Sequence, residues 1–285
     1  MQSDVIQWFP GHMAKTRRLI TENLKEVDII VEILDARIPY SSKNPEIAKI
    51  IGDKPTLTIL NKASLANKEI TKKWIEYYKA RGKYAISVDC ISGEGLGLIS
   101  GAVKSILADK IERYESKGMN KKLRAMFVGI PNVGKSSLIN KICGSKKAKV
   151  ENRPGVTLNK QWIPTNVGFD LMDMPGVLWP KFEDEEVGQV LAMTGAIRDQ
   201  ILDIEEIAIL LCARLMEYAP DQFTERYKLS VEECESLDCY ELFRLVGAKR
   251  GFRVSGGDID HDRTAKMLLE EFRNGKIGRI TLERP

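Results

Sequence analysis

The stretch Gly129-Ile130-Pro131-Asn132-Val133-Gly134-Lys135-Ser136 decides how this chain is read. It fits the pattern G-x-x-x-x-G-K-[ST], and its surroundings fit as well. The apolar run Arg124-Ala125-Met126-Phe127-Val128 precedes it, and Ser136-Ser137-Leu138-Ile139 opens a helical pattern after it. Glycines let successive backbone N–H groups curl around phosphate oxygens, and the start of the following helix adds its positive end. Lys135 is expected to neutralise the β and γ phosphates and the Ser136 hydroxyl to ligate Mg²⁺, with Asn132, Val133, Gly134 and Ser137 completing the cradle. Taken alone, the same residues also suit an ordinary turn between strand and helix.

Outward from this loop, short aliphatic runs recur. Asp28-Ile29-Ile30-Val31-Glu32-Ile33-Leu34, Thr56-Leu57-Thr58-Ile59-Leu60 and Lys83-Tyr84-Ala85-Ile86-Ser87-Val88 lie upstream, and Phe169-Asp170-Leu171-Met172 lies downstream. Their composition predicts buried strands of a mostly parallel sheet with helices on both faces, an α/β domain. Helical connections are expected at 68–81 and 135–143. After Pro180 the pattern changes: Ile204, Ile207, Ala208, Leu211 and Leu215, then Ala265, Leu268, Leu269 and Phe272, recur at helical intervals. The expected division is an α/β domain over 14–180, preceded by an arm over 1–13, and a smaller all-helical domain over 181–285.

Apolar residues form 43% and charged residues 29% of the 285 positions, which excludes collagen-like, disordered and membrane-embedded classes. A net charge of +4 permits a nucleic-acid partner without requiring one. No apolar run is long enough to cross a membrane, and the start MQSDVIQWFPGHMAKTRRLI lacks the layout of a secretory signal. Five scattered cysteines and two histidines argue against a structural zinc site and a disulfide framework, so a cytoplasmic location is expected.

The phosphate loop by itself does not separate a GTPase from an ATPase or a small-molecule kinase. Further motifs narrow the choice. Asp173-Met174-Pro175-Gly176 ends a predicted strand, where Asp173 suits water-mediated Mg²⁺ binding and the Gly176 N–H suits sensing of a γ-phosphate. Between them, Thr157 in Arg153-Pro154-Gly155-Val156-Thr157 is a third candidate for Mg²⁺. Asn61-Lys62-Ala63-Ser64 stands where GTPases carry N-K-x-D, and Asp89-Cys90-Ile91-Ser92-Gly93 stands where they carry a small-residue loop behind the base. Asn61 would support the loops and Lys62 would lie along the base. Ser64 replaces the carboxylate that accepts two hydrogen bonds from guanine, so base selectivity is expected to weaken, by about 1–3 kcal/mol for a charge-assisted bond. Asp89 and Cys90 take the places of the common Ser-Ala.

The order of these motifs is rotated: the base loops at 61 and 89 precede the phosphate loop and Asp173. With Asp35-Ala36-Arg37-Ile38-Pro39, Trp8-Phe9-Pro10-Gly11-His12-Met13-Ala14-Lys15, Asp173-Met174-Pro175-Gly176-Val177-Leu178-Trp179-Pro180, Arg250-Gly251-Phe252 and Ser255-Gly256-Gly257, the chain resembles, over nearly its whole length, the circularly permuted GTPases of the YlqF/RbgA family. That resemblance implies a circularly permuted P-loop GTPase domain followed by an RNA-binding helical domain. It also implies hydrolysis of GTP to GDP with Mg²⁺, in a late step of large (50S) ribosomal subunit assembly. Binding to ribosomal RNA and stimulation by the ribosomal particle are part of the same expectation.

Ras-type enzymes carry a water-orienting glutamine after D-x-x-G, whereas this chain has Val177 and Leu178. Slow intrinsic turnover and activation by a partner follow. The resemblance implies a catalytic role for His12, and imidazole suits proton or water handling. Asn132 resembles the asparagine with which potassium-activated GTPases ligate K⁺ beside the phosphates. Basic clusters at Lys15-Arg17-Arg18, Lys121-Lys122-Arg124, Lys146-Lys147-Lys149 and Lys249-Arg250-Arg253 are candidates for RNA phosphates. Because Trp179, Pro180 and Phe182 lead from Asp173 straight into the helical domain, a γ-phosphate-dependent shift there would reorient that domain. The free protein is expected to be monomeric. The rival expectation is a nucleotide-gated RNA-binding module with incidental hydrolysis and relaxed base choice.

Overall fold

The computed structural model describes residues 10–119, 121–144 and 162–285, with side chains from Ala14 onward. Its first half runs α1 (Pro10–Asn23), β1 (Ile29–Asp35), α2 (Pro45–Ile51), β2 (Thr56–Asn61), α3 (Lys68–Ala80), β3 (Tyr84–Ser87), α4 (Leu98–Ile106), α5 (Ala108–Glu115), β4 (Leu123–Gly129) and α6 (Lys135–Cys143). Then come β5 (Trp162–Pro164), β6 (Phe169–Asp173), α7 (Glu185–Met193), α8 (Ile204–Tyr218), α9 (Pro220–Tyr227), α10 (Val231–Glu235), α11 (Cys239–Lys249) and α12 (His261–Arg273).

β1 is buried at every position and β4 at all but Arg124, because helices cover both faces of the sheet. That is why these strands read as unbroken aliphatic runs rather than alternating ones. The sheet order is β3-β2-β1-β4-β6-β5, with β5 antiparallel to β6 and all other pairs parallel. The chain starts at the centre with β1, builds outward to β3, returns to the other side of β1 with β4, and builds outward again. The direction of winding reverses between β1 and β4, and in such sheets a ligand crevice opens there, outside the carboxyl ends of the strands. Asp35, Asn61, Gly129 and Asp173 all end strands at that edge, and Asp89 follows β3. The short edge strand β5 was not among the expected strands, being too brief for an alternation signal.

α8 is the centre of the helical part, packed by α7, α9, α11 and α12 through Leu211, Leu215, Phe223, Phe243 and Leu268. Aspartates start its main helices: Asp203 caps α8, Asp260 caps α12, and Asp238 forms a capping box with Glu241 on α11. After α12 the chain does not stay with the helices. The Ile280 N–H donates to the Leu65 carbonyl (2.9 Å) and the Leu282 N–H to that of Arg37 (2.9 Å). The Glu283 carboxylate accepts from the N–H groups of Tyr40 (2.6 Å) and Ser41 (3.1 Å). The end of the chain thus lies along the loops that follow β1 and β2.

Candidate functional site

The phosphate loop connects β4 to α6, with Lys135, Ser136 and Ser137 in the first turn of the helix. Gly134 has φ +90°, and a Cβ there would stand 2.4 Å from Asn61 Nδ2, so only glycine lets the loop pass. The reason is a bond: Asn61 Nδ2 donates to the Val133 carbonyl (2.8 Å) while Asn61 Oδ1 accepts from Cys90 Sγ (3.3 Å). Asn61 therefore joins the loops at 61, 89 and 129 side by side at one edge of the sheet, despite their rotated order. Lys135 Nζ pairs with Asp173 Oδ1, so the lysine and the carboxylate converge from β4–α6 and β6. A Cβ at Gly176 would lie 3.1 Å from the Ile130 carbonyl oxygen, which places the D-x-x-G turn directly on the phosphate loop. Asn132 adopts φ 57°, and its Nδ2 donates to the Gly195 carbonyl just beyond α7 (2.8 Å).

Lys62 has φ 60°, and its Nζ donates to Asp35 Oδ2 (2.9 Å). Arg37 reaches the same carboxylate through Nε (3.0 Å) and a terminal nitrogen (2.7 Å). Burial opposes ionisation of Asp35, but Arg37 and Lys62 outweigh it and hold the carboxyl well below its usual range. Arg37 is only 1% exposed; it donates to the Arg273 carbonyl (3.4 Å) and lies over the Phe272 ring. The loop after β2 is thereby tied to α12. In the neighbouring loop, Asp89 accepts from Ser64 Oγ (2.5 Å), from the Ser64 N–H (3.1 Å) and from the N–H groups of Ile91 (2.9 Å) and Ser92 (2.8 Å). Burial would raise its carboxyl, yet these bonds hold it down at about 2. Burial and the Asp89 charge push the Cys90 thiol up to about 11, which leaves it un-ionised.

Of the residues singled out from sequence, Asn61, Lys62, Ser64, Asp89, Cys90, Asn132, Val133, Gly134, Lys135, Ser136, Ser137, Asp173 and Gly176 line one edge of the sheet. Thr157 and the cluster Lys146-Lys147-Lys149 lie outside the described residues. His12 falls on the first turn of α1, and its side chain lies outside them too. Val177 and Leu178 are buried, and the Val177 carbonyl is taken by Asn44 Nδ2 (3.0 Å). The sequence reading gave Asp35 and Arg37 no role in the site; their signal was the D-A-R that directly follows the β1 run. Several basic residues are engaged within the fold: Arg250 with Glu271, Lys249 with Glu233, Arg17 with Glu46. Among the described residues no cluster of three metal-ligating side chains exists, and no helix is long and apolar enough to cross a membrane. One hydroxyl at Ser136 and one carboxylate at Asp173, beside a phosphate cradle, suit an Mg²⁺ that arrives with its nucleotide.

Comparison with known proteins agrees with this geometry. The family described as "50S ribosome-binding GTPase" matches residues 124–234. The chain is 47% identical over 283 residues to ribosome biogenesis GTPase A of Priestia megaterium, covering 98% of this chain and 97% of that one. It is 32% identical to mitochondrial ribosome-associated GTPase 1 of Xenopus tropicalis, covering 99% and 96%. Among solved structures, GDP-bound TM YlqF superposes with a TM-score of 0.66 at 26% identity, covering 94% of this chain and 99% of that chain. GNP-bound YlqF from T. maritima gives 0.64 at 26% identity, covering 95% and 98%. The near-complete coverage and the matching family model lead to one conclusion: the chain belongs to the ribosome biogenesis GTPase A (YlqF/RbgA) family and is a GTP hydrolase.

Proposed function

We propose that this GTPase acts in a late step of large ribosomal subunit assembly, binding ribosomal RNA and hydrolysing GTP faster when the particle is present. The observation that carries the reading is 47% identity, over 98% of the chain, to a relative named for ribosome biogenesis. The protein works in the cytoplasm, as a monomer when free. Its two units are the GTPase domain over 14–180, with an arm over 1–13, and the helical RNA-binding domain over 181–285.

Phosphates are held by the backbone from Asn132 to Ser137 and by Lys135. Mg²⁺ would be held by Ser136, Asp173 and Thr157, and when bound it would supply neutralisation of phosphate charge. Lys62, fixed at its head by Asp35, lays its stem along the base. Gly176, packed on the phosphate loop, offers its N–H to a γ-phosphate. With Val177 and Leu178 buried, neither side chain holds the attacking water; His12 takes that task. Asn132, whose Nδ2 donates to the Gly195 carbonyl and leaves Oδ1 as acceptor, would help hold a K⁺, which when bound would supply positive charge beside the phosphates. RNA phosphates meet basic side chains of the helical domain, such as Arg253, and a groove of about 650 Å³ lies between α2 and the segment after Asp173, lined by Tyr40, Trp179, Phe182 and Lys181. A shift of that segment with the γ-phosphate changes the groove.

Single-turnover hydrolysis of GTP and ATP, with and without large ribosomal subunits, tests the reading. Acceleration of GTP hydrolysis by the subunits is the expected result. Equal rates with and without them favour the rival role of a nucleotide-gated RNA-binding module and end the assembly-factor reading.

A further inference from the structure

We infer that guanine is read in this chain by the Ser64 hydroxyl oxygen, which Asp89 holds as an acceptor, so that the carboxylate of base recognition has moved from position 64 to position 89. The inference rests on the reading of the 61–64 and 89–95 loops as the base site.

The two positions are exchanged relative to the common arrangement: residue 64 carries a hydroxyl where a carboxylate is usual, and residue 89 carries a carboxylate where a serine is usual. Their side chains meet at 2.5 Å. Asp89 itself is out of reach of a base. It is 1% exposed, and its Oδ2 accepts from the Ser64 N–H and Oγ while its Oδ1 accepts from Ile91, Ser92 N–H and Ser92 Oγ (3.1 Å). Ser64 is half-buried, in the loop that directly follows Asn61 and Lys62. A hydroxyl has one proton and two lone pairs, and this proton is committed to Asp89. What remains on Ser64 Oγ is acceptor capacity alone, strengthened by the anion behind it.

An oxygen that only accepts distinguishes purines. Guanine offers donors at N1 and N2, whereas adenine offers an acceptor at N1, which would face the Ser64 lone pairs. One oxygen cannot make two strong bonds as a carboxylate can, so the guanine 2-amino group contributes little. The register of the two loops is rigid: the Ala63 N–H donates to the Val88 carbonyl (3.2 Å), and Gly95 passes so close to the Ser87 carbonyl that a Cβ would stand 2.1 Å from its oxygen. Asp89 therefore acts as a positioning residue and Ser64 as the contact.

Dissociation constants for GDP, IDP and ADP, measured on the full chain and on S64A, D89N and S64D/D89S, test this. In the unsubstituted protein GDP and IDP are expected within about threefold of each other, with ADP weaker by ~10–100-fold, the cost of setting the adenine N1 acceptor in place of a donor against the Ser64 lone pairs. S64A collapses the GDP/ADP ratio. In D89N the side chain no longer offers acceptor oxygens on both edges, so the Ser64 proton is not fixed and can face adenine N1. The GDP/ADP ratio falls, whereas a merely structural defect weakens both nucleotides together. S64D/D89S restores the ratio and widens the gap between GDP and IDP. A ratio unmoved by S64A, or equal losses of GDP and ADP in D89N, overturns the inference. Hydrogen exchange at 61–64 and 89–95 separates the two levels: protection by GDP with an unmoved ratio defeats this inference alone, and no protection defeats the base-site reading and the inference together.

Discussion

Asn61→Ala strikes the bond that joins separate loops at one edge of the sheet. Asn61 is 1% exposed at the end of β2, and its amide nitrogen meets the Val133 carbonyl at 2.8 Å, in a residue itself 1% exposed. Alanine leaves that carbonyl without its donor and Cys90 Sγ without its acceptor. An unsatisfied buried group costs about 1–3 kcal/mol. If the loops part only when nucleotide leaves, the whole cost appears in binding, as a roughly 5- to 150-fold weaker GDP affinity. If it falls on the fold, unfolding shifts down by about 2–4 °C per kcal/mol for a chain of this class. Titration with a fluorescent GDP analogue and thermal unfolding, run on the same preparations, apportion the two. The losses, taken together, should reach at least about 1 kcal/mol. A variant that keeps both affinity and melting temperature would refute the claim that Asn61 couples base and phosphate loops.

Arg37→Leu removes two of the bonds to the buried Asp35 carboxylate and leaves Lys62 as its remaining cationic partner. A destabilisation of ~3–5 kcal/mol is expected from denaturant titration, and an unchanged midpoint would contradict it. Burial raises the Glu283 carboxyl from 4.5 to about 7, against the opposing pull of the Ser41 and Tyr40 N–H groups. The folded state holds that proton more tightly than the unfolded one, so its contribution is full below pH 4.5 and is lost as pH rises through about 7. Stability should fall between pH 5 and pH 8 by up to ~3 kcal/mol, and E283Q should flatten that slope in thermal unfolding. Turnover in K⁺ should exceed turnover in Na⁺, and Asn132→Ala should abolish the difference; equal rates in the unsubstituted protein would remove K⁺ from the mechanism. Lys135→Ala withdraws the ammonium that pairs with Asp173, and on the proposed phosphate role of Lys135 hydrolysis should fall by ~100-fold or more in steady-state assays.

Much of the molecule was legible in its amino-acid order because the signals are local. The phosphate loop, the helix that starts at Lys135, the aliphatic strands and the Asn61-Lys62 pair each depend on a few adjacent residues whose backbone preferences and burial periodicity report directly on structure. The rotated order of motifs was legible for the same reason. What sequence order could not convey is which distant groups become neighbours. The carboxylate of Asp89 and the hydroxyl of Ser64 are 25 positions apart, and neither loop's own residues mark the other as its partner. Asn61 meets Val133 across 72 positions, Asn132 meets Gly195 across 63, and Glu283 reaches Tyr40 across 243. Those pairings follow from the sheet order, which sets β1 against β4 and brings the end of the chain back along the loops after β1 and β2. Local propensity carries no record of such contacts. A hydrogen bond between remote residues forms only after topology has met the loop-closure entropy between them, and that is a property of the whole fold.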